Sequence, residues 1–597
     1  MPCPSHPLAL WGGVECTINR VGDTFHRQFD RNGHRDRLED LDRIASLGIK
    51  TIRFPMLWED LAPDTIDGIA WEWPDRWMQR LQELGIRPIV GLLHHGSGPR
   101  YTSLVDPAFP ELLAQYARAV AERYPWVDAY TPVNEPLTTA RFSGLYGHWY
   151  PHGKDGRTFY RTLIQELRGT VLAMRAIREI NPAAQLVQTE DLGKTYSTPG
   201  IAYQADFDNE RRWLSLDILT GVLKPDSVLW QHMLFDGITK EELVSFLEEP
   251  CPPQIVGINH YVTSSRYLDE NIEAYPAHLH GGNGRDVYVD VDAVRMRPDG
   301  CCEPADLLLE AWDRFKIPLA VTEAHIGCTR EEQLRWFHEI WTAAHSVRDE
   351  GGEVLAVTAW SLFGAYDWDS LLTVSAGSYE CGAFDLRGLE PRPTALAAAL
   401  QEVAATGTCT NPLLNVPGWW RRNVRALPKN HEEAATRWEV RRAFQPAGTS
   451  AECPMLLITG ASGTLGQAFA RICFLRGLPY RLLSRAEMDI AEPESVDAAL
   501  QAFRPWALIN AAGYVRVDDA ETDVARCFRE NAEGPGTLAR ACALAGIPLL
   551  NFSSDLVFDG AKGAAYVESD APRPLNAYGR SKAAAERIVA EILPRAL

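Results

Sequence analysis

The sequence has 597 residues, of which 46% are hydrophobic and 23% are charged, and this ordinary globular composition excludes a mostly disordered or collagen-like chain. At roughly 100–200 residues per domain, with barrels reaching about 250 or more, the length predicts two or three domains. The formal net charge of −20 disfavours binding to nucleic acid and to anionic membrane surfaces. Neither a signal peptide nor an apolar run approaching the ~20 residues that span a bilayer is visible, so we expect a cytoplasmic protein.

From residue 8 to about residue 405, short β-rich runs alternate with amphipathic helical stretches. In the helical stretches apolar residues recur at every third and fourth position, with charges on the other face. This alternation predicts an α/β fold with a (β/α)8 TIM barrel, and an open doubly wound sheet is the alternative. The eight predicted strands are 8–15, 50–56, 87–94, 126–135, 184–191, 254–262, 317–325 and 354–363.

The alternation stops at residue 408, and a second one begins near residue 455 with an apolar run and a glycine-rich turn. The stretch between them mixes Pro, Trp and Arg, and its tryptophans suggest a linker that packs back on the barrel. The sequence therefore predicts a barrel domain over 1–407, a linker over 408–452 and a partial Rossmann-like doubly wound domain over 453–597.

Two glutamates stand at predicted strand ends, Glu135 after the fourth strand and Glu323 in the seventh. In a barrel of this kind the chemistry takes place at the carboxyl ends of the strands. Two carboxyl groups across one barrel mouth are what glycoside hydrolysis requires, one to protonate the leaving oxygen and one to attack the anomeric carbon. The neighbouring strand ends supply further polar and aromatic side chains: Arg53, His94, Asn259, Tyr261 and Trp360.

The segments T-P-V-N-E-P (131–136) and V-T-E-A-H (321–325) resemble glycoside hydrolase family 1, the β-glucosidase and β-galactosidase family, and the resemblance covers about residues 8–405. It implies that Glu135 is the acid/base and Glu323 the nucleophile. Arg53 and Tyr261 are then expected to support Glu323. The implied substrate-binding residues, with Tyr261 in both roles, are Asn19, His94, Asn134, Asn259, Tyr261, Trp360, Asp367 and Trp368.

Four positions depart from the family pattern. Asn19 replaces a glutamine and Asp367 a glutamate, so each side chain is one methylene shorter. His95 replaces a tryptophan, and His325 replaces the asparagine after the nucleophile. The first two positions lie in the implied sugar pocket, so the identity of the sugar, glucose, galactose or another, stays open.

The resemblance implies a retaining exo-acting β-glycosidase that acts on small carbohydrate substrates and needs no cofactor or metal. We expect Arg53 and Tyr261 to lower the pKa of Glu323, and burial beside a second carboxylate to raise the pKa of Glu135. Since adjacent strand residues point to opposite faces, we do not expect His94 and His95 to share a metal ion.

The second alternation begins with a strand followed by Gly460, Gly463 and Gly466, a spacing that suits a pyrophosphate at a helix N-terminus. Its motifs resemble the extended short-chain dehydrogenase/reductase family, in particular the dTDP-4-dehydrorhamnose reductases, over about 454–597. The resemblance implies Tyr578 and Lys582 as the catalytic pair and Ser554 as their partner, with NADP or NAD as cofactor. We expect Lys582 to lower the pKa of Tyr578. Arg485 is either a contact for a 2′-phosphate or a surface residue.

Only 15 residues follow Lys582, so this domain is expected to be truncated and without the substrate-binding half of the family. The alternative to the glycosidase is an NADP-dependent sugar-nucleotide reductase whose barrel serves as a carbohydrate-binding module. A sugar-binding barrel without turnover is a third hypothesis.

Overall fold

The computed structural model describes residues 6–297, 303–388, 390–422, 455–476, 478–563, 565–567 and 569–597. These residues form two compact units, one built on a barrel and one on the C-terminal sheet. Among them there is no helix long and apolar enough to cross a membrane.

The first unit is a closed barrel of eight parallel strands, which confirms the predicted fold. Each strand pairs with the next along the chain, and the last closes on the first through Ala9–Gly12 and Ala356–Ala359. All eight predicted strands are present. Their bounds are β1 Ala9–Gly13, β2 Thr51–Pro55, β3 Arg87–His94, β4 Ala129–Asn134, β5 Gln185–Asp191, β6 Ile255–Tyr261, β7 Leu319–His325 and β8 Val354–Ala359.

A layer of apolar side chains fills the interior near the amino ends of the strands. Seven strands each contribute one residue, and alanines stand beside the large indole of Trp11. Such alternation of small and large residues lets side chains interdigitate inside a narrow barrel. The polar groups therefore collect at the opposite, carboxyl-terminal end. The layer consists of Trp11, Ile89, Ala129, Val187, Ile255, Ala320 and Ala356.

Helices surround the strands. The longest, Gly156–Ile180, begins at Asp155, whose carboxylate accepts the Thr158 amide at 2.8 Å. The α-helices of five or more residues in this unit are α1 Asp40–Ser46, α2 Glu72–Leu84, α3 Phe109–Arg123, α4 Pro136–Ala140, α5 Gly156–Ile180, α6 Ala202–Arg211, α7 Leu214–Thr220, α8 Val228–Phe235, α9 Lys240–Glu248, α10 Pro304–Phe315, α11 Arg330–Asp349 and α12 Ala395–Thr406.

The loops of the barrel carry small additional strands. A hairpin of Ile18–Val21 and Thr24–Arg27 follows β1. A four-stranded sheet of Thr195–Ser197, Arg266–Asp269, His280–Gly282 and Val287–Asp292 lies in the loops after β5 and β6. Two short ladders after β8 pair Ala365–Tyr366 with Tyr379–Glu380 and Phe384–Asp385 with Arg392–Pro393.

Part of the predicted linker is described, up to residue 422. Trp420 is buried, and its indole donates to Glu339 at 2.7 Å. Leu413 and Gly407 accept hydrogen bonds from Arg335 and Trp341 of α11. The stretch 408–422 thus contacts the helix after β7, and the remainder of the predicted linker, 423–452, lies outside the described residues.

The second unit contains a four-stranded parallel sheet in the spatial order Tyr480–Leu483, Leu456–Thr459, Ala507–Asn510 and Leu549–Asn551, which confirms the predicted Rossmann-like fold class. Its strands are β9 Leu456–Thr459, β10 Tyr480–Leu483, β11 Ala507–Asn510 and β12 Leu549–Asn551. Its α-helices of five or more residues are α13 Thr464–Leu475, α14 Pro493–Phe503, α15 Val524–Phe528, α16 Gly534–Ala545 and α17 Ala577–Ile592.

Candidate active site

Glu323 lies at the barrel mouth with a cationic and a phenolic partner. The pairing of β7 with β6 is irregular between Val321 and Glu323, a local change of register of the kind that re-aims side chains near active sites. Arg53 Nη1, from β2, lies 2.5 Å from Glu323 Oε1. The hydroxyl of Tyr261, from β6, donates to Glu323 Oε2. Both carboxylate oxygens are therefore held by donors from other strands.

Glu135 follows β4 and is held by Asn259 of β6. Asn259 Nδ2 lies 2.5 Å from Glu135 Oε1, while Thr322 Oγ1 donates to Asn259 Oδ1 at 2.7 Å. Since Thr322 occupies the amide's acceptor, the donor end of Asn259 has to face Glu135. Asn259, which was predicted to bind substrate, thus orients a carboxyl group in this structure.

Asn134 connects the groups around the two glutamates. Its side-chain oxygen, Oδ1, accepts from Arg53 Nη2 at 2.5 Å and from Thr189 Oγ1 at 2.8 Å. Its amide nitrogen lies 3.3 Å from His94 Nε2 and 3.4 Å from His95 Nε2. The network therefore spans strands β2 to β5.

Burial dominates the electrostatics of this site. Burial and the negative charge of Glu323 raise the pKa of Glu135 well above its usual range. Burial also raises the pKa of Glu323, although Arg53 and Tyr261 act in the opposite direction. Arg53 and Tyr261 lower the pKa of Glu323 as expected, but the loss of hydration outweighs them, so the net direction is upward. The two carboxyl groups still differ, since Arg53 and Tyr261 favour the ionised form at Glu323.

His94, the last residue of β3, and His95 directly after it both face the site. His95 has φ 57°, so the alternation of the strand ends at His94, and the two rings meet edge to face at 5.0 Å. The expectation that they point to opposite faces was wrong for this reason. Burial lowers the pKa of His95 to about 3 and that of His94 well below its usual value, so both rings are neutral. Among the described residues, there is no group of three or more His, Cys, Asp or Glu that could hold a metal ion.

Trp360 is buried at the end of β8. Its ring stacks on His94 at 5.5 Å, and the guanidinium of Arg53 lies 4.8 Å from the ring centroid. Gly13 of β1 makes this position possible, because a β-carbon there would lie 2.3 Å from the Trp360 ring. The sequence does not reveal that close approach.

The three remaining predicted pocket residues have protein partners. Asp367 is fully buried, accepts the Ser378 amide at 2.7 Å and pairs with Arg31 at 2.5 Å. Burial opposes ionisation of Asp367, but Arg31 and the Ser378 amide hold its pKa below the usual value. Asn19 is also fully buried and donates to the Leu372 carbonyl at 3.2 Å.

The third, Trp368, donates its indole N–H to Glu15 Oε2 at 3.0 Å. Glu15 is a residue that the sequence reasoning missed. It lies just after β1, is buried, and accepts the Thr17 amide at 2.8 Å. Burial raises its pKa. The rule that selected Glu135 and Glu323, a carboxylate at a strand end, applies equally to Glu15 and identifies it from the sequence.

The glycine-rich turn of the second unit joins β9 to α13. Gly460 has φ 82°, and a β-carbon there would lie 2.5 Å from the Ala511 carbonyl oxygen. A β-carbon at Gly466 would lie 2.3 Å from the Gly460 oxygen. Gly463 is the residue before α13. The turn is therefore tight, and it brings backbone close to a helix N-terminus, as dinucleotide binding requires.

The predicted reductase residues are brought together only in part. Lys582 Nζ donates to the Phe552 carbonyl at 3.1 Å and lies 5.9 Å from the Tyr578 ring centroid. Burial raises the pKa of Tyr578, against a hydrogen bond from Ser554. The expectation that Lys582 lowers this pKa was therefore wrong. The guanidinium of Arg485 donates to Glu530 at 2.7 Å and to Asp489 at 3.2 Å, so it is paired with two carboxylates of the protein.

Comparison with known proteins separates the two units. Residues 454–597 match the RmlD substrate binding domain family. Over 141 residues the chain is 40% identical to a dTDP-4-dehydrorhamnose reductase of Streptomyces griseus, a match that covers 24% of this chain and 46% of that protein. A reductase of the same name from Aggregatibacter actinomycetemcomitans is 38% identical over 144 residues, 24% of this chain and 49% of that one. The chain thus spans about half the length of the curated relatives it matches.

The barrel is similar to solved β-glucosidase structures from Thermotoga maritima. One of them, in complex with deoxynojirimycin, superposes with a TM-score of 0.53 at 16% identity, covering 67% of this chain and 98% of that one. Another, in complex with noeuromycin, gives a TM-score of 0.54, also at 16% identity, over 68% and 99%. At this identity the likeness shows the fold. Residues 30–375 match Glycosyl hydrolase family 1, more than half of the sequence, and the chain therefore belongs to that family.

Proposed function

We propose that this glycoside hydrolase is a retaining, exo-acting β-glycosidase that cleaves small β-glucosides or β-galactosides by double displacement. The observation that supports the proposal most strongly is the contrast between two buried carboxyl groups at one barrel mouth. Glu323 has Arg53 and Tyr261 as donors, whereas Glu135 has the neutral amide of Asn259 and the charge of Glu323 nearby. Environments that separate two carboxyl pKa values assign the acid and the nucleophile.

In the first step, the ionised Glu323 attacks the anomeric carbon and forms an ester with the sugar. The bond from that carbon to the leaving oxygen breaks, and Glu135 transfers its proton to this oxygen. We expect the carboxyl groups to lie about 5–5.5 Å apart, the separation typical of retaining enzymes. His94 Nε2 lies 4.0 Å from Glu323 Oε1 and His95 Nε2 lies 3.8 Å from Glu135 Oε2, and both rings, being neutral, do not compete for the proton.

The second step reverses the role of Glu135. Once Glu323 is esterified, its negative charge no longer raises the pKa of Glu135. Glu135 then ionises more easily and takes a proton from the water that attacks the anomeric carbon. Glu323 leaves as a carboxylate, and the product has the β configuration of the substrate.

A panel of nitrophenyl glycosides, followed by proton NMR of the first product, tests this proposal. We expect hydrolysis of at least one β-glucoside or β-galactoside, with the β anomer appearing before mutarotation. An α anomer formed first would contradict double displacement. The absence of hydrolysis of every β-glycoside in the panel would contradict the proposed β-glycosidase activity.

For the C-terminal unit, a second candidate function is binding of NADP or NAD. The tight turn at Gly460, Gly463 and Gly466 supports it, because the pyrophosphate of a dinucleotide fits such a turn. When bound, the nicotinamide would supply a hydride. Reduction also needs Tyr578 to exchange a proton, and its raised pKa disfavours this. Titration with NADPH, followed by its fluorescence, should show saturable binding. A signal equal to that of free NADPH throughout would contradict it.

A further inference from the structure

The backbone at Glu135 has an unusual conformation. Glu135 has φ 46° and ψ 61°, in the left-handed region, and it directly precedes α4. A residue other than glycine in this region is strained, and it persists only where its surroundings hold it there. The side chain in this position usually caps the helix, but Glu135 makes no such bond to α4 among the described residues. Its carboxyl group instead contacts Asn259.

Strand β5 holds this turn through two hydrogen bonds. The Glu135 amide donates to the Thr189 carbonyl at 3.2 Å. The Leu137 amide donates to Glu190 Oε1 at 3.0 Å. Leu137 is the second residue of α4, and an amide there has no acceptor within its own helix. Glu190 therefore performs the capping that Glu135 leaves undone.

The protonation of Glu190 is compatible with this contact. Glu190 is fully buried, and burial raises its pKa to about 8, although the Leu137 amide acts in the other direction. Arg141 favours its ionised form and Asp191 opposes it. Glu190 in turn raises the pKa of the neighbouring carboxyl groups of Glu135 and Glu166. Below about pH 8 the group is mainly neutral, and its carbonyl oxygen can still accept the amide. Glutamine has the same shape and the same acceptor, so it is a matched replacement.

We propose that Glu190 is a positioning residue that holds the acid Glu135 in place through the Leu137 amide. The proposal rests on the glycosidase function proposed above. If the contact is lost, the turn at Glu135 relaxes and its carboxyl group moves away from the leaving oxygen. The nucleophile Glu323 belongs to β7 and is held by other residues, so nucleophilic attack is affected less.

Two substrates with the same sugar separate these effects. The leaving group of a 2,4-dinitrophenyl glycoside departs as the phenolate without protonation, whereas the leaving group of a phenyl glycoside needs a proton from the acid. We expect Glu190→Leu to lower kcat/KM for the phenyl glycoside about 100-fold and for the dinitrophenyl glycoside less than about fivefold. Glu190→Gln should retain at least about a third of the wild-type value on both. Equal losses on both substrates, or a glutamine variant as poor as the leucine variant, would overturn the proposal.

A measurement that does not need activity complements this one. Hydrogen exchange followed by mass spectrometry measures how fast the backbone amides of the peptide around Leu137 exchange. We expect faster exchange there in Glu190→Leu than in Glu190→Gln, with unchanged exchange elsewhere in the barrel. Unchanged exchange at this peptide would also overturn the proposal. If the wild-type protein hydrolyses neither glycoside, the proposed function fails. If the wild type hydrolyses both and Glu190→Leu shows no difference between the two substrates, only the role of Glu190 fails.

Discussion

The barrel mouth and the glycine-turn region of the C-terminal unit differ in how fully their polar groups are enclosed. At the barrel mouth, Glu135, Glu323 and Arg53 are each at most 6% exposed, and all three are bonded to groups from other strands. In the C-terminal unit, Tyr578 and Lys582 are partly exposed, and Lys582 is bonded to a backbone carbonyl. Enclosure matters because electrostatic interactions are much stronger away from water.

This difference shows how sequence motifs and assembled sites diverge. Both regions carry the residues that their motifs predict. At the barrel mouth, burial raises the pKa of both glutamates, but Arg53 and Tyr261 oppose this at Glu323, whereas the charge of Glu323 adds to it at Glu135. In the second unit, burial moves the pKa of Tyr578 away from the value that proton transfer at neutral pH requires. The comparison therefore predicts large effects of substitutions in the barrel and small effects in the turn.

The largest effect is expected at Glu323. Glu323→Gln removes the nucleophile and should lower kcat by at least about 10⁴-fold, on the scale seen when a nucleophile is removed from other enzymes. The measurement is hydrolysis of the preferred nitrophenyl glycoside. Glu248→Gln, an exposed residue of α9, is the control and should keep wild-type activity. Activity of Glu323→Gln within tenfold of the wild type would place the nucleophile elsewhere.

Glu135→Gln should have a large effect that depends on the leaving group. Loss of general acid catalysis costs about 10²- to 10⁴-fold in rate for a phenyl glycoside. With a dinitrophenyl glycoside, formation of the glycosyl-enzyme should be almost as fast as in the wild type, and its hydrolysis should become rate-limiting. Stopped-flow release of dinitrophenol should therefore show a burst followed by a slow phase. Loss of the burst as well would mean that Glu135 does not act as the acid.

The value of kcat/KM should pass through an optimum pH and fall about tenfold per pH unit on each side of it. As pH falls, Glu323 becomes protonated and can no longer attack; as pH rises, Glu135 loses the proton that the leaving group needs. Because burial raises both pKa values, both limbs should lie at higher pH than for ordinary carboxyl groups. In Glu135→Gln, measured with a dinitrophenyl glycoside, the basic limb should disappear and the acid limb remain. A basic limb that persists would belong to another group.

The smallest effect on hydrolysis is expected from Gly460→Ala. The added methyl group would lie 2.5 Å from the Ala511 oxygen at φ 82°, so the turn has to shift and NADPH binding should weaken at least about tenfold. Gly546→Ala is a matched control, with φ 69° and nothing within 4 Å of the added methyl group. Hydrolysis of nitrophenyl glycosides should stay unchanged in both variants. Equal weakening of NADPH binding in the two variants would contradict a site at the turn.

The barrel could be predicted from the sequence because each strand and helix is marked by a pattern of neighbouring residues. Each of the eight strands is a short apolar run between helical stretches, and every one of these runs forms a barrel strand. Candidate residues at the strand ends follow directly from this placement. Glu15 also ends a strand run, and the same rule identifies it once it is applied to every carboxylate.

The remaining features depend on contacts between distant parts of the chain. The positive φ of His95 brings its ring beside His94, and the ion pair between Arg31 and Asp367 joins residues more than 300 positions apart. The pKa directions also depend on burial, which the sequence pattern does not measure. Burial is the largest influence on the pKa of both Glu323 and Tyr578, and it raises each of them.

The most direct test of the account is mass spectrometry of the protein after reaction with an activated 2-deoxy-2-fluoro-β-glycoside of its preferred sugar. This reagent slows hydrolysis of the glycosyl-enzyme, so the covalent intermediate accumulates. Double displacement at Glu323 predicts one added fluorosugar, located on that residue by peptide mapping. An adduct on another residue, or turnover of the ordinary glycoside without any adduct, would contradict the double displacement proposed for the barrel.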